Sequence, residues 1–136
     1  KAIYSDLIPQ GQCDLILSLE PMEALRYLPY LKKDGWLVTS SVPFVNIPSY
    51  PEAEALQAAL DAVPNKVVLD VEAIAKDCGS ARSANMVLLG AATPFLHLSY
   101  ESIEEGIRAI FARKGQDIVD KNIAALRAGK AVAEQR

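Results

Sequence analysis

The 136-residue chain carries 51% hydrophobic and 23% charged residues, the balance of one water-soluble globular domain able to bury a single core. Its formal net charge of -3 supplies no basic footprint and argues against nucleic acid as a partner. The longest apolar run, Met86 to Ala92, is far too short to cross a bilayer and argues against a membrane span.

The sequence opens on Ala2-Ile3-Tyr4, and Ile3 to Ile8 reads as an edge strand closed by the turn cluster Pro9-Gln10-Gly11. An α/β protein rarely begins abruptly on such a strand. The expectation is therefore a single α/β domain over residues 1–136 that is the C-terminal part of a longer chain. Cys13 to Leu19 is a short apolar run that fits a strand buried on both faces. Pro21 suits a first helical position, where its missing N–H costs nothing, and Met22, Leu25 and Leu28 supply an apolar stripe. Pro29 cannot donate to the carbonyl of Leu25. This predicts a helix from Pro21 to about Leu28, then a kink or short turn through Leu31, with Lys32 and Lys33 in the last turn.

Asp34-Gly35 then turns the chain, and Trp36 to Ser41 reads as a second strand. Strand, helix and strand at this spacing imply a parallel pair with a right-handed crossover. Both strands end at one edge of the sheet, which brings Glu20 close to Ser40 and Ser41. Ligands of open α/β sheets bind beyond that edge. The blander reading is that Ser40 and Ser41 only end the strand.

Val42 to Tyr50 holds too many prolines for a central strand and reads as an extended loop over the same edge. The aromatic and aliphatic side chains from Phe44 to Tyr50 make it the candidate partner face. A helix begins at Pro51, with Ala53, Leu56, Leu60 and Val63 inward, and Lys66 to Leu69 is a further strand. Asp70 caps the next helix, whose face is Val71, Ile74, Ala75 and Cys78 and whose end is Gly79. Arg82 to about Ala92 is apolar nearly all round, so it is buried. Ser99 caps a helix with Ile103, Ile107, Ile110 and Phe111 facing in. Lys114-Gly115 breaks the chain before a last helix from Gln116 to Ala128, ended by Gly129, with Lys130 to Arg136 frayed. The pattern as a whole predicts a three-layer α/β/α domain with a mostly parallel sheet.

Chemistry is sparse. His97, the single histidine, follows Pro94 in a loop, permits no His-based triad or metal site, and reads as a surface ring. Cys13 and Cys78 read as buried, reduced thiols of a cytoplasmic protein. Gly-x-Gly-x-x-Gly and Gly-x-x-x-x-Gly-Lys patterns are absent. Arg82 and Asn85 stand out: three apart, they share one face in the opening turn of the most buried helix. A guanidinium beside free N–H groups makes an anion site there. Alternatively Arg82 pairs with a carboxylate and Asn85 satisfies nearby backbone. Glu20, Ser40, Ser41, Arg82 and Asn85 thus form the candidate cofactor-binding set, with no catalytic residue and no metal ligand among them.

Three stretches go further. Leu19-Glu20-Pro21-Met22-Glu23-Ala24-Leu25-Arg26, Arg82-Ser83-Ala84-Asn85-Met86-Val87-Leu88-Leu89-Gly90 and Asn122-Ile123-Ala124-Ala125-Leu126-Arg127-Ala128-Gly129 resemble segments of the small (beta or gamma) subunits of 2-oxoacid:ferredoxin oxidoreductases. The resemblance is closest to the beta subunit of the indolepyruvate ferredoxin oxidoreductases and covers nearly the whole chain. The family's N-terminal strand and Gly-Gly-Gln-Gly turn are not among these residues. The resemblance implies an α/β/α fold and oxidative decarboxylation of a 2-oxoacid to an acyl-coenzyme A, with electrons passed to ferredoxin. It places thiamine diphosphate and the iron–sulfur clusters on a large partner subunit, so that this chain binds no cofactor alone. A free-standing Rossmann-like domain that binds a nucleotide or an acyl carrier is the alternative.

Overall fold

Two parallel crossovers organise the sheet. The computed structural model describes residues 8–42 and 52–135. There β1 (Cys13–Ser18), β2 (Leu31–Ser40) and β3 (Lys66–Leu69) pair in parallel in the order β1-β2-β3. The connection from β1 to β2 carries α1 (Pro21–Arg26), and that from β2 to β3 carries α2 (Ala53–Asp61). Then follow α3 (Val71–Asp77), α4 (Ala84–Ala92), α5 (Tyr100–Phe111) and α6 (Gln116–Glu134).

Two crossovers of the same hand that step the same way across a sheet leave their helices on one face. Accordingly α1 and α2 pack together over Ile16 and Leu37, through Ala24, Leu56, Leu60 and Val63. Strand alternation sends Leu15, Val38, Val67 and Leu69 to the opposite face, where α3, α4 and α6 cover them. The architecture is the α/β layering expected. Leu37, fully buried at the centre, alone contributes about 2 kcal/mol of hydrophobic transfer.

Several local expectations need correction. Helix α1 stops at Arg26, and a 3-10 turn over Leu28–Tyr30 carries Pro29. Strand β2 starts immediately afterwards at Leu31, so Lys32 and Lys33 lie in a strand and not in a helical turn. Asp34-Gly35 likewise sits inside β2. Cys13 pairs with Leu31 but Leu15 with Trp36, so the extra β2 residues bulge there. Lys32 Nζ reaches Asp14 across this bulge at 2.7 Å.

Strand β1 is not buried on both faces: Leu17 is 41% exposed, because β1 is the outer strand of the described sheet. Cys13 and Cys78 are free and half-buried rather than buried. In α5, Ile107 is buried but Ile110 is 72% exposed, since α5 lies on the outside of α6 and buries a narrow stripe. Ile8 is exposed and lies in no strand; the rest of the expected first strand, Pro51 and the Phe44 to Tyr50 loop fall outside the described residues.

The largest correction concerns Gly129, which does not end the last helix. Helix α6 runs on to Glu134 because Gly129 and Gly90 let α4 and α6 cross with backbones in contact. On the outer side, Glu104 of α5 accepts from Arg108 at 3.0 Å and from Arg127 of α6. Burial pushes the Glu104 carboxyl up, but the two guanidinium hydrogen bonds and charges together outweigh it and hold the pKa below the usual 4.5. A depressed carboxylate stabilises the fold above its unfolded pKa, and that contribution is lost as pH falls through the folded value. Glu104→Gln is therefore expected to lower stability by about 1 kcal/mol near neutral pH. In urea titrations the gap between variant and parent should close below about pH 4; a gap independent of pH would refute the clasp.

Candidate functional site

The carboxyl edge of the sheet gathers the ends of all three strands and the starts of α1 and α3. Ser18 lies opposite Thr39, and Ser40 opposite Leu69, so the chain leaves each strand at the same level. The helices that follow β1 and β3 are each capped by an acidic residue. Glu20 accepts from the Met22 N–H at 2.7 Å, with Pro21 in the first turn, and Asp70 accepts from the Ala73 N–H at 3.0 Å. At the far end of α3, Gly79 at φ 101 closes the helix. Its N–H donates to Lys76 O and that of Ser80 to Ala75 O, the reciprocal pair that satisfies the last carbonyls. That reversal carries the chain through a 3-10 turn, Ala81–Ser83, straight into α4.

The reversal brings Arg82 and Asn85 back to the strand ends. A cleft of about 270 Å³ is lined by Ser40, Arg82, Asn85 and Glu72, with Leu19, Val42 and Val71 as its apolar walls. Ser40 is buried, and its Oγ accepts from the Val42 N–H at 3.2 Å, which leaves the hydroxyl hydrogen free to donate. Arg82 and Asn85 are exposed. Among the described residues Arg82 forms no ion pair, and it lines this cleft together with Glu72. Such an arrangement can hold a carboxylate or a phosphate oxygen pair through the guanidinium, with the Asn85 amide and the Ser40 hydroxyl as further donors.

Three of the five expected residues therefore converge: Ser40, Arg82 and Asn85. The other two lie beside them in different roles. Glu20 is only 5% exposed, caps α1 and does not line the cleft. Ser41 is exposed and continues the ladder, its N–H donating to Leu69 O at 2.9 Å. Glu72 was not singled out from sequence, although its place in the first turn after a strand end is the signal that puts it at this edge. A larger apolar cleft of about 530 Å³ runs beside β1, between Leu17, Tyr27 and Tyr30; among the described residues Glu23 is the one acidic group in its lining. Among the described residues no group of three or more His, Cys, Asp or Glu side chains could hold a metal ion, and no helix is long and apolar enough to cross a membrane. The donor set present does not fit an iron–sulfur cluster, which takes cysteine thiolates grouped together.

Residues 1–132 match the pyruvate ferredoxin/flavodoxin oxidoreductase family. The chain belongs to this family. It is 36% identical over 126 residues to the indolepyruvate oxidoreductase subunit IorB of Pyrococcus horikoshii, covering 85% of this chain and 62% of that protein. The subunit of the same name from Thermococcus kodakarensis is 34% identical, across 98% of this chain and 69% of the relative. The chain thus spans between three fifths and seven tenths of these relatives' lengths. Its fold is similar to part of a 2-oxoglutarate:ferredoxin oxidoreductase from Magnetococcus marinus, solved with 2-oxoglutarate, coenzyme A and succinyl-CoA bound. That similarity has a TM-score of 0.68 and 23% identity, over 97% of this chain and 22% of the other.

Proposed function

We propose that this chain is the small subunit of a cytoplasmic 2-oxoacid:ferredoxin oxidoreductase of the indolepyruvate type. In this reading it works with a large thiamine-dependent subunit to convert an aryl 2-oxoacid to its acyl-coenzyme A, and the electrons leave to ferredoxin. The observation that carries it is the identity to two subunits named for indolepyruvate oxidoreduction, at 36% and 34% over most of the chain.

Thiamine diphosphate and the iron–sulfur clusters are assigned to the large subunit, where they supply the carbanion stabilisation and the electron relay. The part left to this chain is binding and orientation. Arg82 would grip an anionic group of coenzyme A or of the oxoacid, Asn85 would donate to it, and Ser40 would fix the depth of entry. A cleft of 270 Å³ admits such a group, not a whole cofactor.

Expression with and without the large subunit is the deciding experiment. Oxoacid- and coenzyme A-dependent ferredoxin reduction is expected from the co-purified pair and from neither chain alone. A chain that bound no such subunit and processed a nucleotide by itself would transfer the case to a free-standing nucleotide-binding domain.

A further inference from the structure

Arg82 and Asn85 also wall a second pocket, of about 310 Å³, between the start of α4 and the first turns of α6. Arg82, Lys114 and Lys121 line it, and among the described residues its lining holds no carboxylate. One ion pair lies close by, where Lys121 Nζ sits 3.1 Å from Oδ2 of the largely exposed Asp117. Cations that line one concavity repel one another unless anions offset them, and Asp117 does so only for Lys121.

The polar base of this pocket is fixed. Ser83 Oγ donates to Asn122 Oδ1 at 3.3 Å, and Asn122 Nδ2 donates to Ile118 O at 2.8 Å. Both side chains are buried, so the bond between them ties the entry of α4 to α6 beneath the cations. The stem of Lys121 lies along Gly79, its Cε 3.6 Å from where a Cβ would stand. Lys114 Nζ rests 5.8 Å from the Phe111 ring centroid, which narrows its range.

We propose that this pocket binds a phosphate group, as a phosphomonoester or a diphosphate. Two ammonium groups and a planar fork suit a group with several oxygens and more than one negative charge; a single carboxylate would satisfy the fork alone. The volume is at the low end for ligand pockets and takes the phosphate portion of a ligand rather than a whole nucleotide. The inference does not rest on the oxidoreductase reading, because it uses charge and geometry outside the first cleft apart from the shared Arg82 and Asn85.

Calorimetric titration of the full-length protein with inorganic phosphate, inorganic diphosphate and glycerol 3-phosphate tests it. Saturable binding at one site is expected, weakened about tenfold or more in the double variant Lys114→Gln/Lys121→Gln and further by added salt. Tighter binding of the ester than of inorganic phosphate would assign the occupant to a phosphorylated metabolite, and the reverse order would assign it to the free oxyanion. Should the double variant fail to fold, Lys114→Gln alone changes an exposed side chain and must still weaken binding. Absence of saturable binding, or unchanged affinity in a folded lysine variant, overturns the assignment.

Discussion

Gly129→Ala is expected to destabilise the protein by about 3 kcal/mol, near 10 °C in Tm for a domain of this size. A Cβ at Gly129 would stand 1.9 Å from Val87 O, and one at Gly90 equally close to Leu126 O. Both obstacles are backbone, so no side-chain rotation relieves them. The helices must separate, and Val87, Ala125 and Leu126, all fully buried, would lose contacts together. Helix propensity acts the other way, since alanine is better than glycine in a helix by about 1 kcal/mol. The clash is the larger effect and decides the sign. Gly106→Ala supplies the control: nothing lies within 4 Å of its Cβ position in α5, so it should stabilise by up to about 1 kcal/mol. Chemical denaturation of the two variants separates the effects, and a Gly129→Ala protein as stable as its parent would refute the close crossing.

Arg82→Ala is the functional counterpart, and here stability should hardly change. The side chain is exposed and, among the described residues, makes no ion pair, so its removal falls within about 0.5 kcal/mol of the parent. A charged hydrogen bond to an anionic substrate group is worth about 1.5–3 kcal/mol. The apparent KM for coenzyme A or for the oxoacid should then rise about 10- to 100-fold in the assembled enzyme. Arg82→Lys keeps the charge without the fork and should recover only part of the loss. Unchanged kinetics in Arg82→Ala would leave the residue as a solvated side chain.

How much of this was legible in the sequence varied by element, for identifiable reasons. The cores of β1 and β3 were readable from their apolar runs, and the acidic cap at Asp70 and the closing Gly79 because each rests on bonds within a few residues. The start of β2 was not, because Asp34-Gly35 has turn chemistry, yet here it occupies a bulge held by pairing with β1. Gly129 looked like a helix stop, but its role is set by Val87, far away in sequence. Strand direction foreshadowed that Ser40, Arg82 and Asn85 line one cleft, but the helix expected from Arg82 begins only at Ala84, and Arg82 lies in the 3-10 turn before it. Glu72 could not be foreseen, because nothing local distinguishes a cleft wall from a solvated first-turn carboxylate. Nor could the pairing of Ser83 with Asn122, which depends on how two helices cross.

The capping of α1 and α3 has a consequence for selectivity. A bare helix start attracts any anion by its partial positive charge, whatever the anion's shape. Here Glu20 and Asp70 already occupy amide groups of those starts with carboxylates of their own. What the strand ends offer an incoming molecule is instead the planar, two-pronged geometry of Arg82, set against the negative Glu72 across the same opening. A chloride ion meets both prongs with a single acceptor atom, whereas a carboxylate or phosphate offers each prong its own oxygen in two parallel hydrogen bonds. The edge thus favours visitors by the arrangement of their oxygens rather than by charge alone.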